Sequence, residues 1–158
     1  MSPLSESTFS DPKVRAFHAC LVAHSRIGMQ MEEFLSRANT LPLRDYDVLV
    51  TLEMAENGTL RMNELADRVV YSRSGLTRLV DRLSQEGLVR RERCGKDRRG
   101  IHCILTEKGR AAREQAGPFM LHAIHHVFGK HFSVKETESF YQLMQRIQAA
   151  ASEPIPLP

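Results

Sequence analysis

Apolar residues recur at helical spacing from Asp11 to about Ala38, through Val14, Phe17, Leu21, Ile27, Met31, Phe34 and Leu35. Asp11 and Pro12 suit the N-cap and first position of this long helix. Leu41-Pro42 interrupts it, and Tyr46, Leu49, Val50 and Leu52 continue on a second helix that stops at Asn57-Gly58. A short third helix, about Asn63–Val69, carries Leu65, Ala66 and Val69 on one side. Ser72 then caps a fourth helix whose inner stripe is Leu76, Leu79, Val80 and Leu83, and Gly87 ends it as a left-handed glycine.

From Leu88 the period falls from 3.6 to 2. Leu88–Arg93 reads as a strand and Gly100–Leu105 as its return, with Ile101, Cys103 and Leu105 facing inward. The polar connection Cys94–Arg99 makes the pair a hairpin with a basic tip. Thr106 caps a fifth helix, expected to bend or break at Gly117-Pro118, and Ser133–Glu136 is a capping box opening a last helix to about Ala150. The pattern predicts a mainly α protein: a winged helix-turn-helix with flanking dimerisation helices and one β-hairpin wing. Residues 1–10 form an arm, 11–40 and 107–150 the dimerisation helices, 41–106 the winged region, and 151–158 a tail.

Composition adds exclusions. The 158 residues are 42% hydrophobic and 26% charged, ordinary for a globular protein, and the three cysteines (Cys20, Cys94, Cys103) are too few and scattered for a disulfide scaffold. No apolar run of about 18 residues appears, and the N-terminus lacks a cationic start followed by an apolar stretch, so a cytoplasmic chain without a membrane partner is expected. The net charge of +3 conceals an uneven distribution. Residues 61–100 hold eleven basic side chains against six acidic ones, leaving the remainder at −2.

That basic quarter coincides with the predicted helix-turn-helix and hairpin. A helix fits the B-DNA major groove, about 12 Å wide, while a hairpin reaches the flanking backbone or minor groove. With Leu76, Leu79, Val80 and Leu83 turned inward, the fourth helix offers Arg73, Ser74, Thr77, Arg78, Asp81 and Arg82, preceded by Ser72. Ser74 and Thr77 can meet base edges or phosphates, and Arg73 and Arg78 can grip guanine or phosphate. Arg82 has the alternative of pairing within the protein. The wing candidates are Lys96, Asp97, Arg98 and Arg99. Apolar residues on the outer helices (Phe119, Leu121, Ile124, Val127, Phe128, then Phe140, Leu143, Met144, Ile147) exceed what one winged domain covers, which argues for a homodimer.

The segments NELADRVVYSRSGLTRLVDRLSQEGLVRRE (63–92), DRRG (97–100) and LTEKGR (105–110) resemble the MarR family of bacterial transcription regulators. The resemblance implies an obligate homodimer on a palindromic double-stranded operator, with Asp97 orienting an Arg99 that enters the minor groove. It also implies release by a small phenolic or other aromatic acid bound where the winged region meets the dimer helices. His18, Val22, Arg26 and Tyr46 are the candidate lining residues. The reading is therefore a DNA-binding repressor.

Two rivals remain. A metal- or thiol-responsive regulator would use His122 and His126, four residues apart, or Cys94 beside Arg93 and Lys96. A winged-helix interaction module would put the basic face on an acidic protein. No nucleophile–base pair, Gly-rich phosphate loop or paired carboxylates appear, so neither an enzyme nor a bound cofactor or metal is expected.

Overall fold

A computed structural model describes residues 10–93, 100–151 and 153–155. Among the described residues the elements follow in the order α1 (Pro12–Arg37), α2 (Leu43–Glu53), β1 (Thr59–Arg61), α3 (Met62–Arg68), α4 (Arg73–Gln85), β2 (Val89–Arg93), β3 (Ile101–Leu105), α5 (Glu107–Val127) and α6 (Val134–Ala150). The caps follow local chemistry. Asp11 Oδ1 accepts from the Lys13 amide at 2.7 Å, and Ser133 and Glu136 close a reciprocal box at the start of α6. Those bonds hold the Glu136 carboxyl below its usual range.

Two findings depart from the expected pattern. Thr59–Arg61 forms a third strand, so the sheet runs β1-β3-β2 with both pairings antiparallel. Helix α5 is not interrupted at Pro118; it continues to Val127. Ala116 and Gly117 before the proline and Met120 and Ala123 after it are all buried, and this packing on both sides holds the helix together despite one missing amide donor.

Burial divides into two clusters. The larger gathers Val48, Leu49 and Leu52 of α2, Leu65 of α3, Leu76, Val80 and Leu83 of α4, and Val89, Cys103 and Leu105 of the sheet. Burial pushes the Cys103 thiol up to about 12, so this cysteine is a small core residue and not a thiolate. The smaller cluster joins α1 to α5 through Met31, Leu35, Met120 and Ala123, with Tyr46 packed against it. By contrast α6 buries no residue within the single chain, and Phe17 of α1 is 65% exposed. Among the described residues no helix is long and apolar enough to cross a membrane.

The winged region is tied to α5 by charge. Glu53, at the end of α2, accepts from Arg110 at 2.9 Å and pairs with Arg113. Arg113 chiefly holds the Glu53 carboxyl below the usual carboxylate range. A depressed folded value means that the stabilisation is complete above the unfolded value near 4.5 and fades as pH falls through the folded value. Glu53→Gln is thus expected to cost about 1 kcal/mol at pH 7, solvent screening the accessible part of the cluster. Urea unfolding of both proteins at pH 7 and below pH 4 checks this, the difference between them shrinking in acid. A difference independent of pH would refute it.

Candidate nucleic-acid interface

Ser72 stands in extended conformation before α4 and its Oγ accepts from the Gly75 amide at 3.2 Å, satisfying one orphan donor of the first turn. With one face of α4 locked in the core, Arg73, Ser74, Gly75, Thr77 and Arg78 are all exposed on the other. Thr77 Oγ1 donates back to the Arg73 carbonyl at 2.9 Å, which leaves the hydroxyl oxygen able to accept. Arg73 lies 3.8 Å from Asp67, both largely exposed, a pair that restrains little. Arg78 has no hydrogen-bonding or ionic partner among the described residues.

Arg82 stands apart from this set. Its Nη2 donates to Asp45 Oδ1 at 2.5 Å and its Nη1 to Asp45 Oδ2 at 3.0 Å, while Nη1 also reaches Glu86 at 3.0 Å. The Asp45 carboxylate, which holds the guanidinium more firmly protonated than usual, is 2% exposed. Arg82 therefore pairs within the protein, the alternative that the sequence left open, through both of its terminal nitrogens. A second tie missed from the sequence joins Arg91 of β2 to Asp81 of α4, so that hairpin and helix are fastened together. Neither tie has a local signature, since the partners lie 37 and 10 residues apart. Lys96, Asp97, Arg98, Arg99 and Cys94 lie outside the described residues.

The candidate ligand residues are not assembled. His18 and Arg26 are exposed on α1, Val22 is half-buried, and Tyr46 sits in the smaller core cluster, hydrogen-bonded to Arg113. Helices α1 and α2 converge later than expected because the short link after Arg37 starts α2 beside the last turns of α1. There the Leu43 amide donates to Glu32 at 2.8 Å. A groove of about 660 Å³ opens at that junction, lined by Glu32, Arg44, Tyr71, Ser72, Arg78 and Arg82 among others. Arg44 lies 5.5 Å over the Tyr71 ring, whose hydroxyl bonds Asp47. Burial raises both the phenol and the Asp47 carboxyl.

His122 and His126 stack with ring centroids 6.4 Å apart, and Lys130 lies 3.3 Å from the His126 ring. Among the described residues no group of three or more His, Cys, Asp or Glu is placed to hold a metal ion. Cys20 is exposed on α1.

A capped helix with one face in the core and an arginine-bearing face in solvent, backed by a two-stranded hairpin, defines a winged helix-turn-helix protein. A profile of the MarR family matches residues 39–100. A helix-turn-helix transcriptional regulator of Bacillus cereus (strain ATCC 10987) is 31% identical over 115 residues, covering 73% of this chain and 74% of that protein. The chain belongs to the MarR family, whose members are transcription regulators and not enzymes. The transcriptional repressor MprA of Escherichia coli (strain K12) is 30% identical over 99 residues, 63% of this chain; the match spans only 56% of MprA's own length. Among solved structures, Sco3205 of Streptomyces coelicolor, a MarR family regulator in complex with DNA, superposes with a TM-score of 0.78. It is 29% identical and is matched over 88% of this chain and 90% of its own. AbsC of the same organism gives 0.79 at 25% identity over 96% and 99%.

Proposed function

We propose that this chain is a dimeric DNA-binding transcription regulator, acting as a repressor, which reads an inverted-repeat operator with α4. The observation that carries the reading is the exposed Arg78 guanidinium beside Ser74, Gly75 and Thr77 on the open face of a helix backed by the core. Arg73 and Arg78 grip guanine or phosphate, Ser74 and Thr77 meet the groove floor, and Arg82 positions the helix instead of touching DNA. Arg99, oriented by Asp97, enters the minor groove, with Lys96 and Arg98 on the backbone. The DNA complex of Sco3205 and the repressor role in MprA's name support this reading.

A homodimer is the form that covers α6. A 17-residue helix with Val134, Tyr141, Leu143 and Ile147 at 49–89% exposure has no stabilising burial of its own. The effector, a small aromatic acid, enters the Arg44–Tyr71 groove, whose size suits such a ligand and whose wall includes the start of α4.

Selection from a random duplex pool tests the reading. The enriched site is an inverted repeat with half-sites about 34–36 Å apart. Arg78→Ala, still dimeric by sedimentation, binds that site about tenfold or more weakly, as expected for a lost guanine or phosphate grip. In the same assay benzoate weakens the wild type and not Arg44→Ala. The absence of any enriched repeat, or full affinity in Arg78→Ala, would overturn the assignment.

A further inference from the structure

Asp45 is the single charged side chain buried among the described residues, and both its oxygens face one guanidinium from another helix. Stability is a poor account of that arrangement, because Arg82 is itself 44% exposed and solvent screens what such a pair contributes. What the pair supplies is direction. A guanidinium fork meets a carboxylate in one plane and at two fixed distances, whereas apolar side chains slide and rotate against each other. The Nη1 that meets Asp45 also donates to Glu86, and Asp45 lies in the first turn of α2, whose Leu43 amide is bonded to Glu32 of α1. A continuous set of polar ties thus runs from the outer helix α1, through the start of α2, to the last turn of α4.

We propose that Asp45 and Arg82 are positioning residues: their fork fixes the tilt of α4 against α2 and, through Glu32, relates the reading face to the outer helix α1. The inference rests on the DNA-binding reading above. Its leverage follows from helix geometry. Ser74 lies eight residues from Arg82, about 12 Å along the axis at 1.5 Å per residue. A tilt of about 10° pivoting at Arg82 therefore displaces Ser74 by about 2 Å, more than the 2.7–3.2 Å window of a hydrogen bond tolerates. In a two-headed protein the same tilt alters the separation of the heads.

The test uses the full-length protein, the selected operator, and versions of it with half-site spacing changed by one or two base pairs, together with an unrelated duplex. Two variants are needed: Asp45→Asn, and the paired replacement Asp45→Leu with Arg82→Met. The paired variant is expected to melt at or above the wild-type temperature and remain a dimer. Yet it binds the optimal operator at least tenfold more weakly, with a flattened dependence on spacing and unchanged affinity for the unrelated duplex. Asp45→Asn shows the same loss. If Asp45→Asn fails to fold, the paired variant decides the matter alone. Wild-type affinity and an unaltered spacing profile in the paired variant would reduce the fork to a structural contact and overturn the proposal while DNA binding stands. Indifference of the wild type to every duplex would overturn both.

Discussion

Gly109→Ala is expected to leave the protein largely unfolded, although alanine is favoured over glycine by about 1 kcal/mol at an ordinary helical position. Gly109 occupies the first turn of α5, where a Cβ would lie 2.0 Å from the Leu88 carbonyl oxygen and 2.9 Å from a Leu105 methyl. The carbonyl has little freedom to retreat, since it accepts from the Thr106 amide at 3.2 Å and lies within 2.9 Å of the Thr106 hydroxyl. Relief requires α5 to move off the sheet and surrender the Thr106 cap on the Gly109 amide. Overpacking ordinarily costs about 1–3 kcal/mol, and a collision with fixed backbone belongs above that range. Set against a typical total of about 5–15 kcal/mol, the loss is disabling. Circular dichroism with thermal melting provides the check; a melting temperature within a few degrees of wild type would show that α5 is not seated as described.

The second large effect is on binding. Counting Arg73, Arg78 and the basic wing residues, each head brings at least three cations, so a dimer makes about six phosphate contacts. Six to ten such contacts release enough counterions to lower affinity by about 10³–10⁵ between 50 and 200 mM salt. Titrations across that range should give a straight double-logarithmic plot with a slope near −5. A flat response would be incompatible with a backbone-gripping reading head and would favour docking on protein.

Much of the helical frame was legible because each part is specified locally. Ser72 with the Leu76–Leu83 stripe specifies α4, Ser133 and Glu136 specify the start of α6, and the alternation in Ile101–Leu105 specifies the central strand. What escaped was specified by partners distant in sequence. Thr59–Arg61 is too short to show an alternation and becomes a strand only because Leu60 finds Cys103. Pro118 looked like a breaker because its burial context on α5 is tertiary. Asp45 stands in the first turn of α2, and nothing near it in sequence announces Arg82. Which residues share a ligand site is non-local for a related reason. The residues facing His18 depend on how far along α1 the second helix departs, a distance set by packing around Met31 and Leu35.

The three-stranded sheet has a mechanical consequence. Because β3 is the middle strand, bonded on one side to the strand leading into α3 and on the other to β2, and because Arg91 ties β2 to α4, the base of the hairpin has no hinge against the helix. Helix α4 and the base of the hairpin are set against each other like the two jaws of a locked calliper. On the proposed operator such a gauge cannot stretch to suit the DNA, so the duplex must do the adjusting. Sites whose minor groove narrows or whose steps yield at the jaw spacing would then be preferred at base pairs that no side chain touches.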